Sequence, residues 1–412
     1  MASFSVPLSG LQASSSDLDV IGNNLANLNT DGYKDETLTF GDVFSQIQGT
    51  SGNGDPIQIG SGVQIEGTSS NFTNGSVDST GTASNMALQG NGYFVVSGNG
   101  VTSYTRDGDF SVNSSGQLTT SGGELVMGFP ATNGVVTTSG ALAPISVSSN
   151  GSVSAVATSS FGADVNLDSA SAVGATFNTP LTIYDSLGTP QTLNIQYTNT
   201  GTNAWSYNIT LPGSATGSTA TTTTVASGTL SFSSSGQLTS PSGTVPGINI
   251  TGLADGAANM NLTWNLNGPS GTPTVTQQNS ASTTANPTQN GFPVGTLNSY
   301  SVLPDGTVQG QYSNGQTLSL GQVAVANFAN PQGLTQGADG SEQATSGSGA
   351  AVIGQAGIGG NGTITGGAVE QSNVSLSTEF ANMIVAQQSY DANAKVLTTL
   401  DQVDQSTIQM VS

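Results

Sequence analysis

The chain has no cysteine, no histidine and only three basic side chains: Lys34, Arg106 and Lys395. Without cysteine there is no disulfide framework and no thiolate metal site. Without histidine the chain loses the commonest general base, the commonest transition-metal ligand and Ser-His hydrolysis. Charged residues make up 7% of the sequence, where soluble domains usually carry about 25%. From Asp107 to Ala394 no lysine or arginine occurs, so no basic surface exists to neutralise nucleic-acid phosphates or an anionic lipid surface. No run approaches the roughly 18 apolar residues of a membrane span. Met1-Ala-Ser-Phe-Ser-Val-Pro has neither a positive n-region nor an apolar h-region, so no cleaved signal peptide is expected. With so few cations, most of the 24 acidic side chains are expected to face water or polar backbone.

What the chain does have is glycine (56 residues) with serine, threonine and asparagine, while hydrophobics still reach 34%. Their alternation is too regular for disorder and predicts short strands joined by polar turns. A recurring unit places a Gly turn between two alternating runs: Phe110 to Leu118 around Gly116, Phe232 to Leu238 around Gly236, Ile145 to Val153 around Asn150-Gly151, and Tyr300 to Val308 around Asp305-Gly306. These predict hairpins. Three biased stretches, 213–224, 279–290 and 354–367, read as loops or boundaries.

The two ends differ from this β region. Phe4, Leu11, Leu18 and Leu25 recur every seven residues, with Ile21 and Leu28 in a second row; Val369, Leu376, Met383, Tyr390 and Leu397 repeat the step near the other end, widened by Phe380, Ala394, Leu400 and Val403. Each reads as a one-sided helix suited to coiled-coil packing. Periodicity alone leaves open whether the stripes bury against each other or against another copy.

Chemical motifs are sparse. Gly359-Gly-Asn-Gly-Thr-Ile364 lacks the calcium-binding Asp of a β-roll repeat and does not recur. Asp107-Gly-Asp109 is a short carboxylate pair better suited to solvating a turn than to acid–base work. No Walker loop, nucleotide fingerprint or nucleophile elbow is present.

Gly22-Asn-Asn-Leu-Ala-Asn-Leu-Asn-Thr-Asp-Gly-Tyr-Lys34 predicts a helix to about Asn27, an exit permissive of left-handed backbone at 29–32, and extended chain from Tyr33. The string resembles the N-terminal signature of the bacterial flagellar axial proteins, the rod, hook and hook–filament junction subunits, at Asn23, Asn24, Ala26, Asn27, Thr30, Gly32, Tyr33 and Lys34. Glu370 to Leu397 resembles the C-terminal helix of the same family; Asn91-Gly-Tyr-Phe-Val-Val, with Tyr104-Thr-Arg-Asp-Gly-Asp-Phe110, resembles its inner β domain. Pro180 to Leu193, followed by Trp205, is similar to the outer domain of the hook branch, which with chain length favours hook over distal rod or junction subunit.

The resemblance implies a mixed, mainly β fold with a terminal α-helical coiled coil and two nested discontinuous β domains. The expected boundaries are 1–30 with 372–412 for the coiled coil, 31–72 with 357–371 for a connecting region, 73–145 with 287–356 for the inner β domain, and 146–286 for an inserted outer β domain. It implies a non-enzymatic subunit, without cofactor or metal, that forms a homo-polymeric helical tube transmitting motor torque as a universal joint. Implied partners are the rod, hook-cap and hook–filament junction proteins and the flagellar export apparatus, and the implied location is the extracellular hook. The assembly residues expected are the eight of the N-terminal motif and the helix rows Phe4, Leu11, Leu18, Leu25, Leu376, Phe380, Met383, Tyr390 and Leu397. The competing classes are an extracellular β-rich binding module or adhesin, which needs exposed aromatics that a 6% aromatic content supplies poorly, and an acid-pair glycosidase.

Overall fold

The computed structural model describes residues 4–44, 46–50, 56–148, 152–337 and 340–411. The chain is mainly β, with a helix near each end, α1 (Ser5–Ala26) and α2 (Leu376–Val411). It divides into two compact units: Met1–Ser148 with Ser299–Gly310 and Leu318–Ser412, and Ser149–Asn298 with Gln311–Thr317.

The first unit holds both helices and a sheet centred on strands Tyr93–Gly98, Leu125–Thr132 and Thr317–Asn327. Its central strands bury both faces, which is why they read as unbroken apolar runs rather than alternations. Phe94 and Val96 point into one cluster with Phe110, Leu118, Val323 and Val325, while Tyr93 and Val95 point into another with Tyr104, Phe129 and Phe328. The register sets Phe94 opposite Val325 and Tyr93 opposite Ala326. Edge-to-face rings pin both clusters, Phe94 against Phe110 at 5.2 Å and Tyr104 against Phe328 at 4.8 Å.

The second unit has two five-stranded sheets around one core. One is an antiparallel meander of Thr176–Tyr184, Pro190–Gly201, Ala204–Pro212, Thr222–Phe232 and Leu238–Ser240. Every second residue of its long strand, Gln191, Leu193, Ile195, Tyr197 and Asn199, is buried. The other is built on Ser160–Asp168, which pairs with Met260–Asn265, Val275–Gln278 and Thr283–Gln289. Trp205 and Trp264 lie in the core, with Trp264 edge-on to Tyr207 at 5.2 Å.

Three of the four Gly turns form as expected: Gly116, Gly236 and Gly306 take positive φ between strands whose ends pair or bond back across them. The fourth, at Asn150-Gly151, lies outside the described residues. Several loop assignments are corrected. Within 279–290 a strand, Thr283–Gln289, pairs antiparallel with Ser160–Asp168 despite Pro287, through a bulge between Gly162 and Asp164. Within 354–367, Thr363–Gly366 pairs with Met86–Gln89 and buries Ile364, so the Gly-rich run before it leads into a core strand. In 213–224 the loop reading holds as far as residue 221, where a 3-10 turn, Gly213–Thr216, opens the connection, and fails only at the strand starting at Thr222. Val369 is likewise not part of the C-terminal helix stripe but sits in strand Ala368–Glu370, paired with Val77–Ser79. At Thr283–Gln289 and Thr363–Gly366 tertiary pairing overrides a turn-rich local composition, and at Val369 it overrides a helical periodicity.

Candidate functional site

The helix pair comes first. Asn24 Nδ2 donates to Glu379 Oε2 at 3.3 Å, and a Cβ placed on Gly10 would lie 2.8 Å from the Asn393 side chain. Stepping from Asn24 back to Gly10 matches stepping from Glu379 forward to Asn393, fourteen residues each way, so α1 and α2 run antiparallel. The buried residues of the two helices are, apart from Ile21, small or polar: Pro7, Ala13, Ser14 and Asn24 on α1, Glu379 and Ala386 on α2. Ile21 excepted, the described large apolar residues of both helices are half-buried or exposed. Of the expected rows, Phe4, Leu376, Phe380 and Tyr390 are exposed, while Leu11, Leu18, Leu25, Met383 and Leu397 are half-buried. Ile384, Val385, Val396, Val403, Ile408 and Met410 add to the exposed face. In this register Phe4 stands opposite residue 399, so the last dozen residues of α2 extend about 18 Å beyond it.

The N-terminal motif fastens this pair to the β structure. Asn24, 1% exposed, donates through Nδ2 to Asp35 Oδ1 and Glu36 O, both at 2.8 Å, and its Oδ1 accepts from Tyr33 Oη and Glu36 N at 3.1 Å. Asn23 donates to Tyr33 Oη at 3.1 Å, and Thr30 donates to Asn27 Oδ1 at 3.1 Å. Gly32 turns the chain with φ 71° and donates to Glu370 O at 2.7 Å. Ala26, the last helical residue, is exposed. Thus seven of the eight motif residues hold contacts within their own chain, while Ala26 ends the helix with its side chain exposed.

Lys34 ends the motif on Glu370: Nζ lies 2.7 Å from Oε1, and Arg106 Nη1 lies 3.3 Å from Oε2. Lys34 also donates to Thr73 O, Arg106 donates to Leu88 O and Gly90 O, and Gly75 N donates to Oε1 at 2.8 Å. The Arg106 guanidinium stacks over Tyr93, 5.4 Å from the ring centre. Two of the chain's three cations therefore share one buried carboxylate. Burial pulls the Lys34 amine below its ordinary range, against the pull of Glu370.

Beside this triad is a cavity of about 210 Å³ bordered by Tyr33, Lys34, Arg106, Asp107 and Glu342. Burial pushes the Glu342 carboxyl up to about 7, helped by Glu36 and opposed by Arg106 and Lys34; it pushes Asp107 up to about 6, opposed by a backbone hydrogen bond from Asp109. Burial, with Glu36, Asp35 and Glu379 nearby, raises the Tyr33 phenol to about 12. Asp109 N donates to Asp107 Oδ1 at 2.8 Å, so this pair of residues caps its own turn.

Sequence reasoning missed Glu370, Arg106, Asn373 and Glu342. Asn373 Oδ1 accepts from Asp35 N at 2.7 Å while its Nδ2 donates to Asn71 O and Thr73 O. One signal was available: in a chain with three cations, a lysine and an arginine within short motifs call for a shared buried anion.

Comparison with known proteins places these features. Residues 5–34 match the family described as flagella basal body rod protein, 87–155 the flagellar hook protein FlgE/F/G D1 domain, 148–292 the flagellar basal body protein FlaE D2 domain, and 365–410 the flagellar basal body rod FlgEFG protein C-terminal region. The chain is 37% identical to flagellar hook protein FlgE of Escherichia coli, covering 97% of this chain and 98% of that one. It is 38% identical to FlgE of Salmonella typhimurium over the same shares, and 31% identical to FlgE of Borreliella burgdorferi over 98% of each. The crystal structure of Helicobacter pylori flagellar hook protein FlgE2 resembles it in fold with a TM-score of 0.51 at 13% identity, covering 70% of this chain and 98% of that one.

Proposed function

The chain belongs to the flagellar hook protein FlgE family and is a hook subunit, and from that premise we propose that its terminal helices form the wall of a tube whose polymer passes torque as a flexible joint. The observation that carries this reading is the inverted helix pair. Apart from Ile21 it buries small and polar side chains, and it leaves Leu376, Phe380, Ile384 and Val403 exposed. An apolar face of this kind is stable in water when other copies cover it.

In this reading 1–30 with 372–412 build the tube core, 31–72 with 357–371 connect it, 73–145 with 287–356 form the inner β domain, and 146–286 form the outer one. The N-terminal motif contributes to assembly indirectly: Asn24, Gly32 and Lys34 fix the direction in which α1 leaves the β structure. The polymer's partners would be the rod, the hook cap, the junction proteins and the export apparatus. No catalytic role is assigned. Few charges and many Ser, Thr and Asn side chains suit outer contacts that must re-pair as the tube bends, because water-mediated hydrogen bonds exchange more readily than buried ion pairs.

Electron microscopy of the purified full chain tests the proposal. Short curved tubes are expected. A chain that stays monomeric at every concentration and salt tested, or tubes that persist after removal of 1–30 and 372–412, would refute it.

A further inference from the structure

Lys395 is the third of the chain's cations, and among the described residues it makes no ion pair. It is exposed. Asn393 faces α1, and two residues on, a helix has turned about 200°, so Lys395 projects from the side of α2 facing away from α1. Of the exposed apolar residues of α2, Val396 is next to it in sequence, Val403 lies about two turns further on, and Ile384 and Phe380 lie about 16 and 22 Å back along the axis.

The same unit carries a groove of about 310 Å³ whose polar lining is acidic. Asp17 of α1, Glu36 of the strand Glu36–Asp42, and Glu379 of α2 border it, between apolar walls that include Leu38, Phe40 and Val385. Glu379 is 3% exposed and has amide partners, Asn24 and Asn382, but no cation. Glu36 accepts from Gln336, and Asp17 accepts no hydrogen bond among the described residues. Lys34 and Arg106 are both committed to Glu370. Among the described residues, then, the carboxylates of this groove and the ammonium of Lys395 all lack an ion pair.

We propose that Lys395 of one copy seats its ammonium in the groove of a neighbouring copy bordered by Asp17, Glu36 and Glu379. The occupant is a second copy because the two halves are complementary in charge: an exposed ammonium with no ion pair among the described residues meets carboxylates set between apolar walls. Burial raises the carboxyls of Asp17 and Glu36 above their ordinary values, with a smaller contribution from Glu379 for Asp17 and from Asp35 for Glu36, and an entering ammonium would oppose both shifts. The pairing cannot form within one chain. In the α1–α2 register Asp17 stands opposite Ala386, about 14 Å along the axis from Lys395, so the neighbouring copy is staggered by about that distance. The inference rests on the hook-subunit reading and adds to it the identity of one contact.

The absence of native cysteine makes the contact directly testable. Full-length chains carrying D17C and full-length chains carrying K395C are mixed, assembled into tubes and oxidised. A disulfide-linked dimer is expected in mixed tubes and absent from unassembled mixtures, because bridging requires Cα atoms within about 7 Å. Tubes of either variant alone should give none. In parallel, K395D is expected to lower the fraction of chain in tubes about ten-fold, and D17K/K395D to restore it. Tubes without the linked dimer, or a K395D chain that assembles like the unmodified one, would overturn the pairing while leaving the hook reading intact. Failure of the unmodified chain to form tubes would instead overturn the reading on which the pairing rests.

Discussion

Lys34 and Glu370 stand 336 positions apart in sequence and 2.7 Å apart in space, with side chains 6% and 1% exposed. Glu370 also holds Arg106, so one carboxylate fastens the exit of the N-terminal helix, the turn after Tyr104 and the strand leading to the C-terminal helix. Glu370→Ala leaves two buried cations without a counter-charge. Removing one partner from a buried pair costs roughly 3–5 kcal/mol, and the loss should appear in urea unfolding followed by circular dichroism. Replacing all three residues by apolar side chains of similar volume should cost much less; an equal cost would show that the charge itself is not what the single variant exposes.

Glu342 predicts a pH dependence. Its carboxyl is raised from 4.5 to about 7, chiefly by burial, so between those values the folded chain holds more protons than the unfolded one. Stability must therefore fall as pH rises through that window, with the cost absent below about 4.5 and complete above about 7. Asp107, raised from 3.8 to about 6, adds a decline in the same direction at lower pH. Glu342→Gln should raise the melting temperature at pH 8 and flatten its slope between pH 5 and 7. An unchanged slope in this variant would assign the dependence to other groups.

Gly32 is constrained twice. Its φ is 71°, and a Cβ there would lie 2.5 Å from the Arg106 carbonyl carbon. Gly32→Ala should destabilise by more than the ~1 kcal/mol of an ordinary positive-φ substitution, because the turn must move away from the Lys34–Glu370–Arg106 triad. Calorimetry of the monomer measures it, and a loss below that value would mean the turn relaxes freely.

Phe380 separates folding from assembly. It is 49% exposed on the outer side of the helix pair, so Phe380→Asp should leave monomer melting within about 0.5 kcal/mol of the unmodified chain. Assembly should fail, because polymerisation would bury the new charge unpaired. Sedimentation of assembled material gives the readout; tubes of normal yield would remove this face from the subunit contact.

The sequence by itself determined the parts of this protein that depend on local chemistry. Absent histidine and cysteine closed whole classes of catalysis, the seven-residue steps located both helices, and Gly116, Gly236 and Gly306 marked turns because only a residue without Cβ takes that backbone freely. The tertiary structure decided which groups meet. Val369 follows the helical step, yet strand pairing with Asp78 claims it; Thr283–Gln289 has the composition of a loop, yet it forms an edge of a sheet. Periodicity located the apolar rows but not which side of each helix faces the other, since small residues allow α1 and α2 their close approach while the leucine and phenylalanine rows are left to other surfaces. Above all, Glu370 looked like one acidic residue among 24. Its importance comes from burial, which makes an unpaired charge costly and so draws Lys34 and Arg106 to it from distant parts of the chain.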